Sequence, residues 1–188
     1  MHPTLKSLWN MNNIMKTIIT LVSLTFLLLN LPLSADTLSE WDYANHTLKT
    51  SKEIKVYRSP DCQCCHKWIK HLQKHQFNVI DMLTPNMASV KQAVKLPRKM
   101  ASCHTATIDG YIIEGHVPAD DIRRLLAEKP AIAGLSVPQM PIGTPGMEMG
   151  SRKDAFIVFQ FDHDGKYSVF NQYHADENNE YQSQPSEH

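Results

Sequence analysis

Residues 54–75 read IKVYRSPDCQCCHKWIKHLQKH, and the change of hydrophobic period inside this stretch decides the fold. Residues 54–57 carry a short strand signal that ends at Ser59-Pro60. Over residues 64–75 the apolar Cys65, Trp68, Ile69 and Leu72 recur at the spacing of one helix face, with Asp61 placed to cap the start. Cys62-Gln63-Cys64-Cys65 therefore sits where a strand hands over to a helix.

Outward from that junction the pattern repeats. Residues 77–83 form a second strand signal and residues 87–94 a second helix, which Pro97 closes. Thr105–Ile108 and Tyr111–Glu114 flank Asp109-Gly110, a strong signal for a type I′ hairpin turn. Pro118 and Ala119 open a third helix running to about Lys129, with Asp120 and Asp121 in its first turn, where they complement the helix dipole. Two strands joined by a crossover helix, then a hairpin and a closing helix, predict an α/β protein with a thioredoxin-like βαβα-ββα core. Residues 131–150, rich in Pro, Gly and Met, read as an irregular ordered loop, and residues 155–161 and 167–173 as a C-terminal β-hairpin extension. Residues 174–188 are polar and are expected to form a disordered tail.

At 188 residues the chain has room for one ordinary domain and a targeting segment. Its 19 basic and 19 acidic residues cancel and are scattered, which excludes the basic footprint of a nucleic-acid binder. Lys16 precedes an uncharged run over residues 18–33, broken by Asn30 and Pro32 and followed by Ser34-Ala35. This is the grammar of a cleaved signal peptide spanning 1–35, and it places the mature protein in the periplasm; an uncleaved membrane anchor is the alternative. With cleavage, no stable membrane anchor is expected. A lead-in segment (36–52) then precedes the domain proper (53–173).

Three readings compete for the four cysteines, Cys62, Cys64, Cys65 and Cys103. Structural disulfides suit an exported protein, but a bridge inside one helical turn closes a tiny loop and gains little chain entropy. Thiol-disulfide exchange is suggested by the C-x-x-C spacing of Cys62 and Cys65; against it, Cys64 is an extra thiol that could trap mixed disulfides. A metal site is the third. In the expected fold the loop carrying Cys103 and His104 faces the strand-to-helix turn, so four soft sulfurs converge, and a helix amino terminus favours the thiolate. Zinc accepts four cysteines, yet thiolates favour Cu(I), which makes copper the better reading outside the cytoplasm, with more than one ion if thiolates bridge.

The chain also resembles a known family, the CopG-like periplasmic proteins of bacterial copper-resistance systems, long catalogued as a domain of unknown function. The resemblance covers roughly residues 54–161. It rests on Cys62-Gln63-Cys64-Cys65 followed by Trp68 and Leu72, on Ser102-Cys103-His104-Thr105-Ala106, and on the run from Gly110 through Gly115-His116-Val117-Pro118-Ala119. Gly134-Leu135-Ser136-Val137-Pro138 and Gly143-Thr144-Pro145-Gly146-Met147-Glu148 complete it. One departure is Gln139, where the family pattern suggests Gly. The resemblance implies a thioredoxin-like fold, copper bound by the cysteines, and a role in copper tolerance that admits copper redox chemistry. Its partner class is copper ions together with copper-efflux or other periplasmic copper-handling proteins.

Several other residues stand beside this set. His104 adjoins Cys103 and is expected to bind the metal or to orient a thiolate. His116 is read as a capping or packing histidine ahead of the third helix. Met140, Met147 and Met149 offer soft thioethers, although methionine more often fills core gaps. His71 and His75 share a helix face with lysines and read as solvated, while Arg123 and Arg124 read as decoration of the third helix.

Overall fold

The structure, a computed structural model, describes residues 40–42 and 52–186, all within the compact unit that spans residues 38–188. The expected signal peptide and all of the lead-in segment except residues 40–42 and 52 lie outside the described residues. Among the described residues, three helices and one eight-stranded sheet make a mixed α/β architecture. The elements run β1 (Glu53–Arg58), α1 (Gln63–Lys74), β2 (Asn78–Leu83), α2 (Met87–Ala93), β3 (Thr105–Ile108), β4 (Tyr111–Glu114), α3 (Ala119–Glu128), β5 (Gly134–Ser136), β6 (Phe156–Phe161), β7 (Tyr167–Ala175) and β8 (Tyr181–Pro185). Short 3₁₀ turns occupy Glu40–Asp42 and Arg98–Met100.

Strand order is β2-β1-β3-β4-β5-β6-β7-β8. β1 and β2 are parallel across α1, β3 lies antiparallel to β1, and the β3–β4 hairpin closes at Asp109-Gly110, both with positive φ, as the turn chemistry requires. The register of that hairpin pairs Thr105 with Glu114, so the chain beyond it brings residue 103 opposite residue 116.

One face of the sheet carries the main core. Ile54, Val56, Ala106, Ile113, Leu135, Val158 and Phe170 pack against Trp68, Ile69 and Leu72 of α1 and Ile122 and Leu125 of α3. The buried indole of Trp68 donates to the Val117 carbonyl at 2.9 Å, so its polar edge is satisfied inside the core. A smaller cluster of Met100, Ile112, Ala133 and Phe161 covers the other face.

Four expectations are corrected. The helix after β1 is capped by Cys62 rather than Asp61: its sulfur accepts from the Cys65 N–H at 3.3 Å. Within the expected irregular loop, Gly134–Ser136 forms β5, parallel to β4 and antiparallel to β6, and so joins the two halves of the sheet. Within the expected disordered tail (174–188), residues 174–175 end β7 and residues 181–185 form the edge strand β8, linked by a turn in which Asp176 accepts from the Asn178 and Glu180 N–H groups at 2.9 and 3.0 Å, while residues 187–188 lie outside the described residues. Trp41 packs edge-on to Phe156 and Tyr173 and tilted to Tyr181, and donates to the Gly143 carbonyl at 2.9 Å, which gives that terminal sheet an apolar cover.

The fourth correction concerns His71 and His75. Both are buried, because the face they share is the seam between α1 and α3. His71 Nε2 accepts from the Ala119 N–H at 3.1 Å, His75 Nε2 donates to the Trp41 carbonyl, and Arg123 donates to His75 Nδ1 at 3.1 Å. Burial, reinforced by His75, holds His71 well below the ordinary imidazole range. Arg123 is thus part of the seam, and Arg124 lies over the Phe170 ring at 3.6 Å and donates to the Phe170 carbonyl at 2.6 Å.

Candidate metal centre

β1 ends at Arg58, and the chain turns through Ser59-Pro60-Asp61 with the Cys62 N–H donating to the Ser59 carbonyl at 3.1 Å. That turn delivers Cys62 to the N-cap of α1 and places Cys64 and Cys65 in its first turn. Cys62 and Cys65 form a disulfide, while Cys64 and Cys103 are free thiols. Cys65 is fully buried under the helix, and the other three are half-buried at one lip of the domain. The four sulfurs lie within 4.8 Å of one another, and Cys62 and Cys64 sulfurs are 3.5 Å apart. The loop entering β3 does face the strand-to-helix turn, as the sequence suggested.

Cys103 belongs to a second group with His104 and His116, again with ligand atoms inside 4.8 Å of each other. His104 Nδ1 and His116 Nε2 are each 3.2 Å from the Cys103 sulfur. His116 Nδ1 donates to the Pro145 carbonyl at 2.8 Å, which leaves Nε2 as the acceptor facing the thiol. His104 is clamped between rings, tilted on Trp68 at 4.4 Å and edge-on to His116 at 5.0 Å, and its Nε2 has no hydrogen-bond partner among the described residues.

Burial, then the neighbouring His116 and Lys91, hold His104 well below the ordinary imidazole range; burial takes His116 down to about 4, against the pull of its bond to Pro145. Both rings are neutral near pH 7, the state in which imidazole ligates. Burial and then the nearby Cys64 push the Cys103 thiol up to about 12. Without a cation this sulfur keeps its proton: desolvation of the half-buried thiol outweighs the nearby helix amino terminus that was expected to favour thiolates.

His116 is the residue the sequence reading undervalued. Its signal was present in the Asp109-Gly110 turn: once that turn sets the hairpin register, His116 falls directly opposite Cys103.

The loop bearing Cys103 is fastened at several points. Gly115 N–H donates to the His104 carbonyl at 3.0 Å, Gln139 N–H to the Ala101 carbonyl at 3.2 Å, and Ser102 Oγ to the Gln139 carbonyl. Gly115 has φ +71°, and a Cβ there would lie 2.5 Å from both Ser102 Oγ and the Val137 carbonyl oxygen, so only glycine fits between the loops. Gln139, the departure from the family pattern, adopts φ 63°, the left-handed conformation that explains a glycine preference at that position. From the other side residues 141–147 close on α1: Gly146 backs onto Cys64 and Trp68, and Pro145 holds His116. Met147 follows Gly146 and is half-buried, whereas Met140 and Met149 are exposed.

Comparison with known proteins now adds to this geometry. Residues 100–147 match a family model described as a protein of unknown function, DUF411. Two solved structures are similar: "Copper resistance protein copG- Form 2" at 45% identity and TM-score 0.60, covering 63% of this chain and 94% of that chain, and "Copper resistance protein copG- Form 1" at 47% identity and TM-score 0.59, covering 62% and 93%. The chain belongs to the CopG family. No curated protein matches the sequence. The CopG relatives are named copper resistance proteins, and a cluster of soft sulfur donors flanked by neutral imidazoles fits copper chemistry. No helix among the described residues is long and apolar enough to cross a membrane.

Proposed function

We propose that this CopG-family chain is a periplasmic copper-binding protein of copper tolerance that holds Cu(I) through Cys62, Cys64, Cys65 and Cys103, with His104 beside them. The observation that carries the reading is the convergence of four sulfurs within 4.8 Å, one of them touched by two neutral imidazoles. Packed thiolates repel unless a cation sits among them, and Cu(I) is the soft cation that bridging thiolates favour. Four sulfurs this close can bridge, so more than one Cu(I) suits the donor set. His116, through the same contact as His104, joins the donors. Export is supported by the apolar run over residues 18–33, and a thioredoxin-like core by the β1-α1-β2 unit followed by the β3–β4 hairpin and α3.

The reduced form binds. The Cys62–Cys65 disulfide withdraws two thiolates, and two electrons restore them. In the other direction, two Cu(II) ions reaching the reduced site can each take one electron from the Cys62 and Cys65 thiolates, leaving two Cu(I) and the disulfide, which gives the site a route to copper redox chemistry. The same disulfide favours a second reading, thiol-disulfide exchange through Cys62 and Cys65. Cys64 separates them. Cys64→Ser spares the exchange pair and removes a ligand, so it should lower Cu(I) stoichiometry or affinity if the site is a copper centre.

X-ray absorption on the reduced, Cu(I)-loaded protein tests the primary reading. Sulfur-dominated scattering and proton release on loading are expected. Nitrogen and oxygen scatterers alone, or no binding above a cysteine-free variant, would overturn it.

A further inference from the structure

Glu114 is fully buried at the end of β4, close behind the thiol cluster, and is not itself one of the donors. One carboxylate oxygen accepts from the Ser102 N–H at 2.6 Å and from Lys91 Nζ; the other accepts from Thr105 Oγ at 2.6 Å. Lys91 also donates to Thr105 Oγ at 3.0 Å. Ser102 and Thr105 bracket Cys103 and His104, so one carboxylate grips the dipeptide from both ends. Lys91 is reached from α2, a helix that buries none of its own side chains.

This arrangement is more than the hairpin needs. Opposite Thr105 at the end of a four-residue ladder, an apolar or Thr–Thr pair would close the sheet. A buried ion pair is a weak source of stability, since desolvation offsets the Coulombic gain and an apolar pair of similar volume is often as stable. What an apolar pair cannot do is hold the Ser102 N–H and the Thr105 hydroxyl in place. These two bonds, with the Gly115 N–H on the His104 carbonyl, determine where the Cys103 sulfur points.

We propose that Glu114 and Lys91 form a positioning pair for the copper centre, a carboxylate clamp that aims Cys103 at the Cys62–Cys65 turn. The proposal rests on the copper reading of the cluster. It predicts that the pair acts on metal affinity through Cys103.

The test is the double substitution Lys91→Met with Glu114→Leu, made in the wild-type and Cys103→Ser backgrounds of the full chain. Cu(I) affinity is measured by competition with a Cu(I) chelator, urea unfolding monitors the fold, and iodoacetamide labelling read by mass spectrometry reports access to Cys103 relative to Cys64. The apolar swap should lower the urea midpoint by the same amount in both backgrounds, the cost of leaving the Ser102 N–H and the Thr105 hydroxyl unpaired. In the wild-type background it should weaken Cu(I) binding about 10-fold or more, as supporting groups around metal ligands typically do, and change the Cys103 labelling rate. In the Cys103→Ser background it should change Cu(I) affinity less than about twofold, the signature of acting through Cys103. Glu114→Gln, which keeps an oxygen for the Ser102 N–H, should recover most of the affinity; if the apolar swap does not fold, Thr105→Val, which removes only the hydroxyl that Glu114 and Lys91 hold, carries the same comparison of the two backgrounds. Unchanged Cu(I) affinity, or equal weakening in both backgrounds, overturns the clamp. If the wild type binds no Cu(I), the copper reading falls by itself, and the Cys103 labelling rate alone then decides for or against the clamp.

Discussion

Gly146 is the point where the loop over residues 141–147 meets the cysteine turn, and replacing it with alanine measures how tightly the two are packed. Its φ is +83°, and a Cβ would stand 2.6 Å from the Trp68 backbone nitrogen, 2.9 Å from the Cys64 carbonyl oxygen and 3.1 Å from Trp68 Cα. The left-handed backbone costs an alanine about 1–2 kcal/mol. All three contacts are with backbone, so no side-chain rotation relieves them, and forced overpacking adds about 1–3 kcal/mol. Gly146→Ala should therefore destabilise by about 2–5 kcal/mol. Gly150→Ala is the matched control: its φ is +72° with nothing within 4 Å, so only the backbone cost of about 1–2 kcal/mol applies. Urea unfolding gives both values. Because the Cβ pushes on Cys64 and pulls Pro145 from His116, Gly146→Ala should also weaken Cu(I) binding in chelator competition, whereas Gly150→Ala should not. A Gly146→Ala midpoint no lower than that of Gly150→Ala would refute the close approach of loop and helix.

Three further outcomes follow from the same contacts. Cys103→Ser should weaken Cu(I) binding more than His104→Ala, since it removes a thiolate that the facing loop supplies; equal affinity in wild type and Cys103→Ser, by chelator competition, would remove Cys103 from the donor set. Burial holds the Asp121 carboxyl up at about 6 against an ordinary 3.8, opposed by its bonds from Asn171 and Tyr173. The folded state thus retains a proton that the unfolded chain has lost, so this contribution is complete below 3.8 and disappears as pH rises through about 6. Asp121→Asn should remove that dependence, and the wild-type minus variant stability should fall by up to about 3 kcal/mol between about pH 4 and about pH 7; parallel urea-derived curves would contradict it. Trp41→Ala strips the cover from Phe156, Tyr173 and Tyr181 and should cost about 2–4 kcal/mol, read as a lower thermal midpoint, with Cu(I) affinity unchanged because the indole lies outside the thiol cluster.

Local pattern made much of this architecture legible. The helical spacing of Cys65, Trp68, Ile69 and Leu72 and the Asp109-Gly110 turn each act over a few residues, and both elements stand where that chemistry puts them. β5 escaped because three residues among prolines and glycines carry no period, and parallel pairing with β4 is supplied by a partner distant in sequence. β8 escaped because an edge strand facing solvent can be polar throughout: four of its five residues are exposed, and its order comes from hydrogen bonds to β7 and the Tyr181 ring beside Trp41. His71 and His75 were misplaced because a helix face rich in lysine looks solvated until another helix covers it.

By itself, the sequence determined that three thiols share one strand-to-helix turn and that a fourth precedes a hairpin, since residue spacing and turn type are local properties of the chain. Tertiary structure decided what those thiols experience. Bringing Cys103 across to the turn, setting His116 opposite it and covering both rings removes water from all of them, and desolvation leaves the imidazoles neutral and the Cys103 thiol protonated. Spacing along a chain carries no information about dielectric surroundings, which arise only when distant segments close over one another.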